Sequence, residues 1–249
     1  MMRHIHHLHV SDGTSIYYEC IGHGEPLILL HGNGGSSRYF HYQIKALSQH
    51  YRLYVVDCRG RGRSTDNASH ISYFLMAQDL WELVQHEQLS KFHLLGFSDG
   101  ANLALLFAQL HPETIQSLIL NAANQKFSDL TKETQQRFKW SKHLMDKASV
   151  LHPFLKRRSH YFELAFDEIP VDKALLRQLH FPVLILVGEN DIVNVSFSRK
   201  LAQLFPNATL CIEPNVGHIF ARQRPERYNH YVLEFLKHVP SEGVSDLLL

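Results

Sequence analysis

The sequence predicts an α/β architecture built on a mostly parallel sheet, and three observations carry that prediction. Short apolar runs alternate with longer helical stretches, several of the runs end in glycine-rich turns, and a glycine-flanked serine joins one run to an apolar helix. With 249 residues, 45% of them hydrophobic and 20% charged, the chain can bury the core that such a sheet needs within one domain.

Residues 3–10 and 14–21 flank Asp12-Gly13, a hairpin signal, so the sheet is expected to open with antiparallel strands. Parallel strands follow at Pro26–Leu30, Leu53–Val56, Phe92–Leu95, Ile115–Leu120, Val183–Val187 and Thr209–Ile212, each a short apolar run of the kind buried on both faces. Tyr73–Leu89 places its apolar residues at helical spacing, while Ala101–Leu110 is apolar nearly all round and is predicted to be a sandwiched, buried helix. Residues 126–178 break the rhythm: they hold no convincing strand, many aromatics and more Lys and Arg than Asp and Glu. They read as a helical insertion over one end of the sheet. The expected organisation is a core of residues 1–125 and 179–249 with a small helical cap at 126–178, closed by a helix over Pro225–His238.

A formal net charge of +1 gives no broad field to attract nucleic acid or an anionic membrane, which leaves a small-molecule substrate as the expected partner. Cys20, Cys58 and Cys211 are odd in number and far apart, so neither a disulfide framework nor a zinc knuckle is suggested, and a reducing, cytoplasmic setting fits. The amino terminus lacks a long apolar stretch and no later run is long enough to span a bilayer. His4, His6, His7 and His9 invite a metal reading, but strand alternation puts His4 and His6 on one face and His7 and His9 on the other. A polar, half-exposed strand is expected there, with no metal.

Chemistry concentrates in four stretches. Gly96-Phe97-Ser98-Asp99-Gly100 follows an apolar run and precedes the buried helix, the strand-turn-helix setting that makes a serine project from a strained turn. Serine is a poor nucleophile until a base accepts its proton. His218, in Asn215-Val216-Gly217-His218, follows the last strand and so belongs to the same carboxyl edge of the sheet. Asp191, directly after the run Val183–Val187, can reach that edge to hold the imidazole tautomer, giving the chain order Ser98, Asp191, His218. Glu189 is the nearest substitute acid. Finally, His31-Gly32-Asn33-Gly34-Gly35 ends another strand, and the backbone N–H groups of Asn33 and Asp99 are expected to hold a tetrahedral oxyanion. His31 itself is expected to be structural.

These stretches, with Asp57-Cys58-Arg59-Gly60-Arg61-Gly62-Arg63-Ser64, make nearly the whole chain resemble the α/β-hydrolase superfamily. The resemblance implies that Arg59–Arg63 form a structural loop and that 126–178 is the variable cap. The Ser-Asp-Gly elbow is similar to that of amino-acid-ester hydrolases related to valacyclovir hydrolase, which implies that Asp99 binds a substrate ammonium; complementing the positive end of its helix is the alternative. Phe127, Phe138, Trp140 and Phe162, with Phe154, Tyr161 and Phe166, are candidates to line an apolar pocket above Ser98. The expected activity is hydrolysis of a small carboxylic ester, amino-acid ester, thioester or activated amide through an acyl-serine. No metal or organic cofactor is required, because attacking group, base and stabiliser all come from the chain. A cofactor-free perhydrolase or haloperoxidase, or a hydrolase-like ligand receptor with little turnover, are the rival readings.

Overall fold

The computed structural model describes residues 3–151 and 163–240. The opening hairpin pairs β1 (Arg3–His9) with β2 (Ser15–Ile21) around Asp12-Gly13, where Gly13 takes the positive φ of +79° that the turn requires. The remaining strands are β3 (Glu25–Leu30), β4 (Tyr51–Val56), β5 (Phe92–Phe97), β6 (Ile115–Asn121), β7 (Val183–Gly188) and β8 (Ala208–Glu213). Together they form one eight-stranded sheet in the order β1-β2-β4-β3-β5-β6-β7-β8. The pairs β1/β2 and β2/β4 are antiparallel and all others parallel. This is the α/β-hydrolase fold that the sequence resembles.

Apolar side chains cover both faces. One face packs against α2 (Tyr73–His86) and α3 (Asp99–Leu110), the other against α1 (His41–Leu47), α7 (Phe220–Gln223) and α8 (Pro225–Lys237). The helix α3 is buried from Asp99 through Ala108, as a helix without a polar stripe must be. Because β8 ends the sheet and has a neighbour on one side only, it is half-exposed rather than doubly buried. The helices α4 (Lys132–Leu151) and α5 (Lys173–Leu176) lie within 126–178, and α6 (Val195–Ala202) follows β7. Among the described residues no helix is long and apolar enough to cross a membrane.

The edge strand β1 leaves His4, His7 and His9 exposed, with the His6 ring stacked on Tyr18 at 4.9 Å. Among the described residues no group of three or more His, Cys, Asp or Glu is arranged to hold a metal ion. Behind the hairpin, Arg59 is buried with its guanidinium on Asp79, Asp12 and Thr14, which fixes the 57–64 loop. The Asp57 carboxylate accepts from the backbone N–H groups of Ser37 and Arg63, tying this loop to the one after β3. At the opposite end of the sheet, His93 joins the Ser117 hydroxyl at 2.8 Å to the Glu25 carboxylate at 3.2 Å, pinning three strands together.

Candidate active site

The strand β5 sits at the centre of the sheet, with Leu30 of β3 opposite Gly96 and Asn121 of β6 opposite Phe97. Ser98 follows at φ 54° and ψ −119°, a conformation costly for any residue with a Cβ. The turn closes because its flanks are glycine: a Cβ on Gly96 would overlap the Gly100 carbonyl, and one on Gly100 would overlap that of Leu30. Strand, turn and helix are thereby pressed together until Ser98 stands at the amino end of α3.

Two further segments converge on it. After β7, the Asp191 carboxylate accepts from the Val193 N–H at 3.0 Å, an Asx turn that aims its side chain along the sheet edge. After β8, the Val216 carbonyl accepts from the Asn190 N–H at 2.9 Å, and Gly188 leaves no room for a Cβ against that same carbonyl. Glu189, the substitute acid, accepts from the Asn215 N–H instead and so fastens the same pair of loops.

The outcome is a continuous hydrogen-bonded line. Asp191 Oδ1 lies 2.7 Å from His218 Nδ1, and His218 Nε2 lies 3.0 Å from Ser98 Oγ. Facing a carboxylate, Nδ1 carries the proton and donates it, which leaves Nε2 free to accept from the serine hydroxyl. The Asp191 side chain is fully buried and that of His218 is 19% exposed, so the carboxylate is shielded while the imidazole faces the cavity. The Phe97 ring packs 4.9 Å from the imidazole.

His31 is buried at the root of the glycine loop. Its Nε2 accepts from the Cys58 N–H at 3.1 Å, which fixes the proton on Nδ1, and Nδ1–H donates to the Gly32 carbonyl at 2.8 Å. That carbonyl also accepts from Gly35 N–H at 3.1 Å. In a trans peptide the C=O of Gly32 and the N–H of Asn33 point in opposite directions. Holding the carbonyl inward therefore turns the Asn33 N–H outward. Asn33 and Asp99 both line the cavity beside Ser98, and the first N–H groups of α3 have no intrahelical acceptor.

Asp99 is buried, at 6% exposure. Burial raises its pKa, against the opposing pull of Arg61, Tyr73, Asn33 and His218. Its Oδ2 is buried without a hydrogen-bond partner among the described residues. Two positive features therefore face one carboxylate: the guanidinium of Arg61 and the amino end of α3.

A cavity of about 300 Å³ opens above the serine. Tyr39 and Phe97, stacked at 4.1 Å, form one wall, and Leu130, Phe138, Ile192 and Ile219 enclose much of the rest. Of the aromatics expected to line it, Phe138 does. Phe127 does not: it lies behind Phe138, stacked on Phe166 at 4.4 Å with Lys139 over its ring. Trp140 is 66% exposed, because two residues along a helix from the inward Phe138 is more than half a turn away. Phe154, Tyr161 and Phe162 lie outside the described residues. The lining residues missed at the outset had a signal available in part. Phe97, Ile192 and Ile219 are the apolar chain neighbours of Ser98, Asp191 and His218. Tyr39 and Leu130 had none, since distant segments bring them in.

The family model of the alpha/beta hydrolase fold matches residues 25–149. The chain is 29% identical over 246 residues to a candidate carbamate hydrolase, RutD, of Agrobacterium fabrum, covering 85% of this chain and 93% of the relative. It is 25% identical over 262 residues to a candidate non-heme bromoperoxidase, BpoC, of Mycobacterium tuberculosis, covering 90% and 98%. Among solved structures, carboxylesterase CesB of Bacillus subtilis matches with a TM-score of 0.77 at 21% identity over 95% of this chain and 92% of its own.

Proposed function

Because this chain belongs to the α/β-hydrolase fold family, we propose that it is a serine hydrolase that cleaves a small carboxylic ester through an acyl-Ser98 intermediate. The observation that carries the reading is the unbroken Asp191–His218–Ser98 line at 2.7 and 3.0 Å, ending on a strained serine at the floor of an apolar cavity. His218 Nε2 takes the hydroxyl proton as Ser98 Oγ attacks the carbonyl carbon, and Asp191 stabilises the imidazolium. The N–H groups of Asn33 and Asp99 receive the developing oxyanion, each worth about 3 kcal/mol. His218 then hands its proton to the leaving group, and a water activated by the same imidazole releases the acid.

The cavity's apolar wall suits a short acyl group, with residues 126–178 acting as a cap that contributes Phe138. Within the ester class, the Asp99 carboxylate, which lines the cavity beside Ser98, favours an acyl group that bears an ammonium. A carbamate ester, suggested by the relative named a candidate carbamate hydrolase, would be cleaved by the same steps.

The test is a panel of p-nitrophenyl esters, with and without an α-ammonium, assayed on wild type, Ser98→Ala and Asp99→Asn. Fluorophosphonate labelling followed by mapping is expected to mark Ser98. Equal hydrolysis by wild type and Ser98→Ala would refute the mechanism, and an unchanged preference in Asp99→Asn would remove the ammonium role while leaving the mechanism standing. Peracid formation from acetate and hydrogen peroxide at a rate above ester hydrolysis would favour the perhydrolase reading.

A further inference from the structure

The proposed acyl chemistry makes no use of a second concavity, a polar groove of about 420 Å³ between the start of β1, the middle of β2, the loop after β3, α1 and α7. Arg3, Arg38, Arg63 and Arg222 converge on it, with His41 at its side. A smaller hollow of about 230 Å³ shares Arg38 and Arg63 and extends to Asp57. Four guanidiniums within one depression of a chain whose net charge is only +1 is a local concentration of positive charge.

The carboxylates at hand are already engaged. Glu19 is buried and accepts from Arg3, Arg63 and the Tyr17 hydroxyl. Asp57 is taken up by the two backbone N–H groups that join the loops. Arg38 and Arg222, both exposed, have no carboxylate within ion-pair distance among the described residues. Two guanidiniums are thus held by one buried glutamate, which fixes their position, and two more stand free across the groove. A multivalent oxyanion accepts such forks on several oxygens at once, whereas a carboxylate offers only two.

The groove is separate from the acyl cavity. Tyr39 stands between them, its ring lining the cavity on Phe97 while the charge of Arg222 bears on its hydroxyl. Arg38 is its chain neighbour, and Arg222 lies four residues after His218 in the chain.

We propose that this groove binds the phosphoryl or pyrophosphoryl group of a small phosphorylated molecule, at a site distinct from the acyl cavity and held chiefly by Arg38 and Arg222 against the fixed pair Arg3 and Arg63. Each charge-assisted arginine contact to phosphate carries enough free energy that losing it weakens binding by roughly tenfold or more.

Equilibrium dialysis of the full chain against inorganic pyrophosphate, with sodium chloride at physiological ionic strength, tests this. Wild type and Ser98→Ala are expected to bind saturably with the same affinity, and Arg38→Gln/Arg222→Gln to bind at least about tenfold more weakly. The Lys/Lys variant should recover part of the loss, because it restores charge without the fork. Both positions are exposed, so the variants are expected to fold, with ester hydrolysis unchanged as the check. Absence of saturable binding, or equal affinity in the Gln/Gln variant, would overturn the proposal. So would loss of binding in Ser98→Ala, which would move the ligand into the acyl cavity. None of these outcomes bears on whether Ser98 is the nucleophile.

Discussion

Replacing His31 by alanine should slow a reaction whose substrate His31 does not touch. The imidazole makes two hydrogen bonds, to the Gly32 carbonyl at 2.8 Å and from the Cys58 N–H at 3.1 Å. Without it the Gly32 carbonyl keeps its bond from Gly35, but the buried Cys58 N–H is orphaned, at a cost of about 1–3 kcal/mol in stability. The kinetic effect is separate. Once the Gly32–Asn33 peptide can rotate, the Asn33 N–H is no longer held toward the oxyanion, and loss of one such donor lowers kcat by on the order of 100-fold. KM should stay close to wild type, because Phe138, Tyr39 and Phe97 are untouched. The assay is steady-state hydrolysis of a p-nitrophenyl ester beside urea unfolding. His31→Asn sharpens the result: its side-chain amide can stand in for Nδ1–H but cannot reach Cys58, so it should recover rate while remaining destabilised. A folded His31→Ala enzyme with kcat within about threefold of wild type, or a His31→Asn enzyme as slow as the alanine variant, would refute the peptide-orientation argument.

Gly100→Ala should destabilise the protein severely, because the added methyl meets the backbone carbonyls of Leu30 and His31, far outweighing the ~1 kcal/mol of helix propensity that alanine offers; soluble yield and thermal unfolding will show it. Phe138→Ala should shift ester preference toward longer acyl chains, whereas Trp140→Ala should leave kcat/KM within about twofold, and a reversed pattern would displace the cavity wall. Acidification should weaken the fold. Burial holds the pKa of His31 down at about 4 against about 6.5 in an unfolded chain, so the unfolded state binds the proton first and stability is fully present only above about pH 6.5. By pH 4 this histidine alone should cost roughly 3 kcal/mol, and His93, lowered by burial too, acts in the same direction. Urea midpoints from pH 7 to pH 4 should fall, with a shallower fall in His31→Asn; a rise over that window would contradict it.

What the sequence made legible was local. Gly96 and Gly100 announce the elbow because a strained turn tolerates no side chain there, and Asp12-Gly13 announces the hairpin for a related reason. Ser98, Asp191 and His218 each follow an apolar run, so a parallel sheet sends all three to one edge, and the structure brings them within hydrogen-bonding reach. Their convergence could be read because strand direction is a long-range rule with a short-range signature. The cavity wall has no such rule. Whether Phe138 or Trp140 faces inward depends on the rotation of α4 about its own axis, and contacts such as the Leu130–Val193 bridge, between segments far apart in the chain, join the segment before α4 to the loop after β7. The half-exposure of β8 was hidden likewise, since an apolar run reads the same in the middle of a sheet as at its border.

The line Ser117–His93–Glu25 has a wider consequence. It repeats, at the other end of β5, the side-chain types proposed to do the chemistry, yet His93 and Ser117 have no solvent exposure at all. The two rims of the slab differ in polarity as well. The upper rim meets the electropositive start of α3, where a developing alkoxide is welcomed; the lower rim lies toward its carbonyl end, where the same charge would be repelled. Reactivity in this molecule belongs to an orientation of the layered architecture, and a hydroxyl, an imidazole and a carboxylate set in a row serve as a rivet when they sit on the wrong side of it.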